Sequence, residues 1–460
     1  MVKTEDSKRI KELKHYARRR SIKQGMLNSA KNSFGDYYIA PFAIAINASN
    51  SLVALLSSIS GLLGPITQLF SSRLIEKHSR KKIVLKSVFF ESLMWLPLIA
   101  IAILFYKGIL VSLLPFLFLL FFAFYIILAN VGNPAWFSWM GDIVDENYRG
   151  WWFSKRNLLN GFVLVILAIP ASFLLDYFKK NNLIMFGFIV LFLLAFIARL
   201  MCWRVFKKQY EPKIKLEKGY YFSFWDFIKQ APKNNFGKFA IFRAFLGFAS
   251  SISAPLLAVH LLRNLKFSYT IYIVITLAGV VFSLLVLELW GKFADKYGNY
   301  LVLNITCILI PIIPILWVLF PFPIYLILIP PLISGISWAG FNLAAGNFIY
   351  DNVHQQKRGL AISYYNMLIG IGVFFGAGLG AILIKFLTVS LMKSIFIIFI
   401  GGSIVRMIVV FFGLPKLKET RKKGKFDSSQ ALKNIVLKHG KQTLLEEAHE
   451  IVSIKKYFRV

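Results

Sequence analysis

The chain has 460 residues, of which 57% are hydrophobic and only 16% charged, against about a quarter charged in an ordinary globular domain, and that balance excludes a water-soluble fold. A formal net charge of +33 raises nucleic acid as a partner. The cations lie between apolar runs with no interleaved aromatic pattern, however, so they read as contacts to anionic lipid headgroups and not to nucleic acid. The two cysteines, Cys202 and Cys307, allow neither a disulfide framework nor a CxxC metal site, and no cofactor or metal is expected.

A basic arm, 1–23, opens the chain. It lacks the short apolar core and small-residue cleavage site of a signal peptide, so the first span is expected to remain in the mature protein. Runs long enough to cross hydrocarbon, about 20 residues each, follow at 24–47, 51–72, 83–106, 109–134, 152–176 and 183–204. A polar, lysine-rich connector separates them from six more at 237–262, 270–293, 300–320, 323–347, 360–385 and 391–413. The tail beyond is basic, and apolar residues at helical spacing (Leu432, Ile435, Val436, Leu444, Leu445, Ile451) predict a short amphipathic helix in it. The expected organisation is therefore an arm at 1–23, a six-helix bundle at 24–205, a connector at 206–235, a second bundle at 236–413 and a tail at 414–460. A monomer is expected.

Orientation follows from where lysine and arginine flank the spans, because they are retained on the cytoplasmic side. The loops after even-numbered spans are the basic ones, with Lys77, Arg80, Lys81 and Lys82 after span 2 and Lys207 and Lys208 after span 6. Both termini are accordingly expected in the cytoplasm, at the cell membrane.

The two halves repeat one another. Asp142, Val144, Arg149, Gly150, Ser154 and Asn157 recur as Asp351, Val353, Arg358, Gly359, Ser363 and Asn366, each 209 residues later, and Asn133 and Asn342 keep the same offset. Ser72, Glu76, Lys77 and Ser79 recur as Gly291, Asp295, Lys296 and Gly298 at an offset of 219. Ala40-Pro41 recurs as Ala254-Pro255, and Arg199 as Arg406. Agreement at equivalent places of four helix pairs points to a duplicated six-helix unit.

At these residues the chain resembles the major facilitator superfamily, whose halves each carry a G-x-x-x-D-[RK]-x-G-[RK] loop after their second helix. Gly291 to Gly298 is a close match, and the first-half copy departs at Ser72, Glu76 and Ser79. The resemblance implies an all-α polytopic membrane protein of twelve transmembrane helices in two pseudo-symmetric six-helix bundles. Spans 1, 4, 7 and 10 would line a central cavity exposed alternately to each side. A secondary active transporter of a small solute is the function implied, with a transport-inactive receptor or sensor on the same fold as the alternative. Signatures of drug/proton antiporters, sugar porters and peptide porters are lacking, as is any constellation for a membrane enzyme such as HExxH or paired acids for Mg²⁺.

The candidate cavity residues begin with Asp36, near the middle of span 1, with Lys31, Asn32 and Tyr37 beside it. An ionised carboxylate at the bilayer centre costs about 2.5–3.5 kcal/mol on insertion scales. Asp36 is therefore expected to face a cavity, or else to pair with Lys31 or an arginine of another helix. Asn32 lies one turn earlier on the same helix face. The equivalent of Asp36 in the second half is Ser250, so the acid belongs to one half only and reads as a group for binding ligand, ion or proton. Asn133 and Trp136, with Trp338 and Asn342, place amides and indoles on spans 4 and 10, interhelical hydrogen bonding being the alternative for the amides.

The resemblance gives the loop residues Glu76, Lys77, Arg80, Gly291, Asp295, Lys296 and Gly298 a gating role on the cytoplasmic side. Asp142 with Arg149, and Asp351 with Arg358, are expected to belong to the same network, helix-end salt bridges without a gating role being the alternative. Glu91 is expected to pair with Lys86, and Arg199 and Arg406 to snorkel to the cytoplasmic surface.

Overall fold

In a computed structural model, residues 2–72, 74–145, 149–212, 223–353 and 358–419 are described, and every element among them is helical. The amphipathic helix expected in the tail lies outside the described residues. Eleven helices among the described residues are long and apolar enough to cross a membrane: Asn50–Ser71 (span 2), Arg80–Tyr106 (span 3), Leu114–Ile143 (span 4), Trp152–Lys180 (span 5), Ile184–Lys207 (span 6), Asn235–Asn264 (span 7), Tyr269–Tyr297 (span 8), Asn299–Leu319 (span 9), Pro323–Asn352 (span 10), Gly359–Phe386 (span 11) and Leu391–Lys416 (span 12).

Span 1 is the twelfth, and it is built differently. One helix, Val2–Phe34, carries the charged arm straight into the apolar run, and the run then breaks into a 3-10 turn at Asp36–Tyr38 and a short helix at Ile39–Ala45. Neither piece is by itself a long apolar helix, because the first is mostly arm and the second is too short to cross hydrocarbon. Pro41 supplies the cause of the break, since it has no N–H to return to the carbonyl four residues back. Span 7 breaks at the equivalent place, where Pro255 sits in the 3-10 turn Ala254–Leu256.

The duplication extends to individual hydrogen bonds. Span 3 begins at a backbone N–H, Lys81, that donates to Glu211 (3.1 Å), a residue just past span 6; span 9 begins with Tyr300 N–H donating to Glu419 (2.8 Å), just past span 12. Each carboxylate meets the positive end of a helix. Arg80 donates to Asp142 (2.7 Å) and to the Ser138 hydroxyl (3.1 Å). In the second half the equivalent Asn299 donates to Asp351 (2.9 Å) and accepts from Asn347 (3.1 Å). The geometry is kept while the charge is dropped. Gly298 begins span 9 at φ +96°, ψ 160°, a conformation essentially confined to glycine. Its counterpart Ser79 takes φ −60° and caps span 3 with its side chain.

The chain divides into two compact units. Unit 1 holds residues 1–219, 250–274 and 363–398, and unit 2 holds 220–249, 275–362 and 399–460. Within unit 1 an aromatic-rich cluster around Trp139, Met140, Trp152 and Phe206 packs spans 3 to 6 together, and Phe42 sits edge-on to Phe118, Phe188 and Phe192. Unit 2 is joined at one end by Phe239 packing on Phe348, and Trp290 donates to the Ile336 carbonyl (2.9 Å).

Candidate functional site

Unit 1 gathers four charges of the apolar spans at the break in span 1. Gly35 lets the chain turn there: a Cβ on it would stand 2.2 Å from the Trp95 ring, so only glycine fits under that indole. The break presents Asp36 to Lys31, whose ammonium donates to the carboxylate at 2.8 Å and to the Tyr125 hydroxyl at 2.9 Å. Tyr125 in turn donates to the other oxygen of Asp36. Lys31 also lies 3.5 Å from Glu91 of span 3, and Glu91 is held by the Arg199 guanidinium of span 6. Arg199 also donates to Asn28 (2.7 Å).

The result is a chain of alternating charge, Asp36, Lys31, Glu91, Arg199, drawn from three spans and steadied by Tyr125 of a fourth. Its side chains are 36%, 5%, 1% and 9% exposed respectively, so the network is closed everywhere except at Asp36. Burying an ion costs several kcal/mol and is tolerated only when charge and hydrogen bonds are returned. Beside it, the side-chain amide oxygen (Oδ1) of Asn32 is buried with no hydrogen-bond partner among the described residues.

Two sequence expectations are corrected here. Glu91 does not pair with Lys86, which is exposed, because residues five apart on a helix point about 140° away from each other. Arg199 and Arg406 do not snorkel: they are 7% and 4% exposed. Arg199 lies too deep in span 6 and is drawn to Glu91. Arg406 reaches the Ile310 carbonyl (3.4 Å), and Ile310 stands 219 residues after Glu91. The pairing of Glu91 with Arg199 was open to sequence reasoning, since opposite charges in the interior of apolar spans seek one another. Tyr125, inside an apolar run, gave no signal.

The other named residues fall as follows. Asn133 donates to Asn130 (3.2 Å), which also accepts from Gln68 of span 2 (2.8 Å), so this amide belongs to an interhelical chain. Trp136 lies under the Arg156 guanidinium (4.7 Å to the ring centre) and against Phe153. Tyr37 is half-buried, whereas Tyr38 is buried and donates to the Ala168 carbonyl (2.8 Å). In unit 2, Trp338 and Phe341 flank Arg243, a cation of span 7 not singled out from the sequence, at 5.4 and 5.2 Å; Asn342 is exposed. Asp295 and Lys296 are exposed at the end of span 8, Lys296 over the Tyr297 ring (5.0 Å), and Lys77 is exposed on the short helix Leu74–Lys77 that follows span 2. Gly291 has open space around it. Arg80 binds Asp142 within the first half and so ties span 3 to span 4. The side chains of Glu76, Arg149 and Arg358 lie outside the described residues.

Unit 1 also holds a set of ties that run from the end of the spans opposite those loops to mid-span. Arg263, at the end of span 7, donates to Asn50 (2.5 Å) and to the Ala48 carbonyl. Asp176 of span 5 accepts from the first two N–H groups of span 8, Tyr269 (2.8 Å) and Thr270 (2.9 Å). Ser51 and Ser58 of span 2 donate to the carbonyls of Ala381 and Phe374 in span 11 (2.8 Å each). Gly61 and Gly370 meet backbone to backbone, with no room for a Cβ on either.

A duplicated six-helix unit of long apolar helices, with the acids and bases inside the spans of its first half paired to one another, defines a multi-pass membrane transporter fold. The Major Facilitator Superfamily model matches residues 26–329 and 239–458. The chain belongs to that superfamily. Similar solved structures include the nucleoside transporter NupG (14% identity, TM-score 0.61, covering 88% of this chain and 98% of that one). A POT family transporter in complex with a thioalcohol conjugated peptide is similar at 12% identity and TM-score 0.65, covering 87% of this chain and 97% of that one. A bacterial homolog of the human lysosomal transporter Spinster, in an inward-facing conformation, is similar at 12% identity and TM-score 0.61, covering 88% and 97%. These identities speak for the fold alone. No curated protein sequence matches the chain.

Proposed function

We propose that the protein is a secondary active transporter that carries a small solute by alternating access, with bundles 24–205 and 236–413 as the moving bodies and both termini in the cytoplasm. Coupling to a proton or cation runs through Asp36. The observation that carries this reading is the buried alternating-charge network whose single open member is Asp36, 36% exposed against 1% for Glu91. A proton or cation arriving at Asp36 cancels the charge that holds Lys31 at 2.8 Å. Lys31 is then left to Glu91, and the Tyr125 hydrogen bond that ties the break in span 1 weakens, because a neutral carboxyl accepts less strongly than a carboxylate. Occupancy at the open end is thereby transmitted to three other spans.

The test begins with a solute. A compound panel screened by thermal stabilisation identifies one, because any ligand of the folded state raises apparent stability by mass action. Purified protein in liposomes is then assayed for pH-gradient-driven accumulation and for solute exchange. If Asp36 couples a proton, Asp36→Asn removes accumulation and spares exchange. Loss of both assigns Asp36 to the solute itself. Wild-type accumulation and exchange by Asp36→Asn would falsify the role given to this residue.

A further inference from the structure

Unit 2 contains a cavity of about 470 Å³ between spans 7 and 12, a size in the range of small-molecule and lipid sites (about 300–1,000 Å³). Span 7 contributes Lys238, Ile241, Phe242 and Phe245, the i, i+3, i+4 and i+7 positions of one helix face. Span 12 contributes Ile408, Val409, Phe412 and Lys416, again one face. Gly413 allows the two helices to approach, since a Cβ there would stand 2.5 Å from the Phe242 ring.

The groove has a direction. Span 7 starts at Asn235 and span 12 ends at Lys416, so both lysines sit at the end of the spans next to the connector and the tail. The phenylalanines and isoleucines lie one to two turns deeper. Phe245, Ile408 and Phe412 are 58%, 51% and 63% exposed, and on a polytopic chain such apolar surface faces hydrocarbon. No acidic residue lines the groove among the described residues. Two cations at the depth of the headgroups, above an apolar trough, match one chemistry: a phosphate ester joined to acyl chains.

We infer that this groove is a binding site for an anionic glycerophospholipid, its phosphate between Lys238 and Lys416 and an acyl chain along Phe242 and Phe412. The site is independent of the transport reading above. Each basic residue near a membrane surface favours an anionic lipid by roughly fivefold, so the pair is expected to favour it on the order of 25-fold over a zwitterionic one.

The experiment uses the full chain in nanodiscs containing phosphatidylglycerol and phosphatidylcholine, released into the gas phase for native mass spectrometry. Wild type is expected to retain phosphatidylglycerol selectively. Lys238→Gln/Lys416→Gln is expected to lose that selectivity, by more than tenfold, while its unfolding midpoint in pure phosphatidylcholine stays at the wild-type value. Equal selectivity in wild type and this variant overturns the proposal. A second variant, Val409→Trp, fills the trough and leaves the lysines in place; it is expected to lose the lipid too. Retention by Val409→Trp, or displacement of the lipid by millimolar inorganic phosphate, would reduce the site to a phosphate site and overturn the lipid assignment. A photoreactive phenylalanine analogue at Phe412 is expected to yield adducts of lipid mass, and cross-linking to peptides from 420–460 would show that the chain's own tail is the occupant instead.

Discussion

Removing the charge of Glu91 tests the idea that four linked ions, three of them buried, hold one another in place. Glu91 is 1% exposed and lies 3.5 Å from Lys31 besides its contact to Arg199. At that separation one pair attracts by about 5 kcal/mol at an effective dielectric near 20. Desolvation costs several kcal/mol per ion, so the intact network contributes little net stability. The cost of breaking it is larger, because Glu91→Gln strands Lys31 and Arg199 with one carboxylate between them, and about 3–5 kcal/mol of destabilisation is expected. Glu91→Gln/Arg199→Met restores neutrality with side chains of similar size and is expected to recover most of that loss. The assay is reversible unfolding in mixed micelles, read as a double-mutant cycle with an expected coupling of about 3 kcal/mol or more. A Glu91→Gln variant within ~0.5 kcal/mol of wild type, or a double variant no better than the single, would refute the reasoning.

Gly298→Ala places a side chain at φ +96° and is expected to destabilise by about 1–3 kcal/mol, seen as a lower unfolding midpoint. The matched change Ser79→Gly is expected to cost only a few tenths of a kcal/mol, glycine being an acceptable helix cap. Arg263→Gln removes the charge-assisted bonds to Asn50 and Ala48, so labelling of a cysteine at Ser51 by a membrane-impermeant maleimide is expected to rise several-fold; unchanged labelling would mean these bonds do not govern access. Cys202 and Cys307 are buried, so single reporters can be read against a quiet background. A cysteine at the exposed Ile109 is expected to react from outside the cell and one at the exposed Lys208 only from within, and the reverse pattern would invert the proposed topology.

Most of the architecture was legible because a bilayer leaves few options. Apolar runs must be helices, and the offsets between Asp142 and Asp351 or between Glu76 and Asp295 already announced a repeat. Repeats alone did not say which partners meet. Arg80 was grouped with a gating loop, yet its nearness to Asp142 depends on how spans 3 and 4 lie together. Asp36 was recognised from its depth, and its alternative partner, Lys31, was named, because both sit on one helix. Glu91 and Arg199 were misread because a sequence offers Lys86 as the near neighbour, whereas the true partner is 108 residues away on another span. Arg243 escaped notice altogether, since a cation between Trp338 and Phe341 is visible only when spans 7 and 10 are brought side by side.

The balance of the four charges has an electrical consequence. Two carboxylates, Asp36 and Glu91, stand against two cations, Lys31 and Arg199, so the resting network is neutral. In the transport cycle proposed here, this network moves no net charge of its own through the membrane field when the carrier returns empty. A carrier with a proton on Asp36 moves one, and one elementary charge crossing the whole membrane is worth about 2.3 kcal/mol per 100 mV. Through this network, voltage therefore acts on the loaded step and spares the empty return. A chain with Asn at position 36 carries its positive charge in every state, and both steps come under the field.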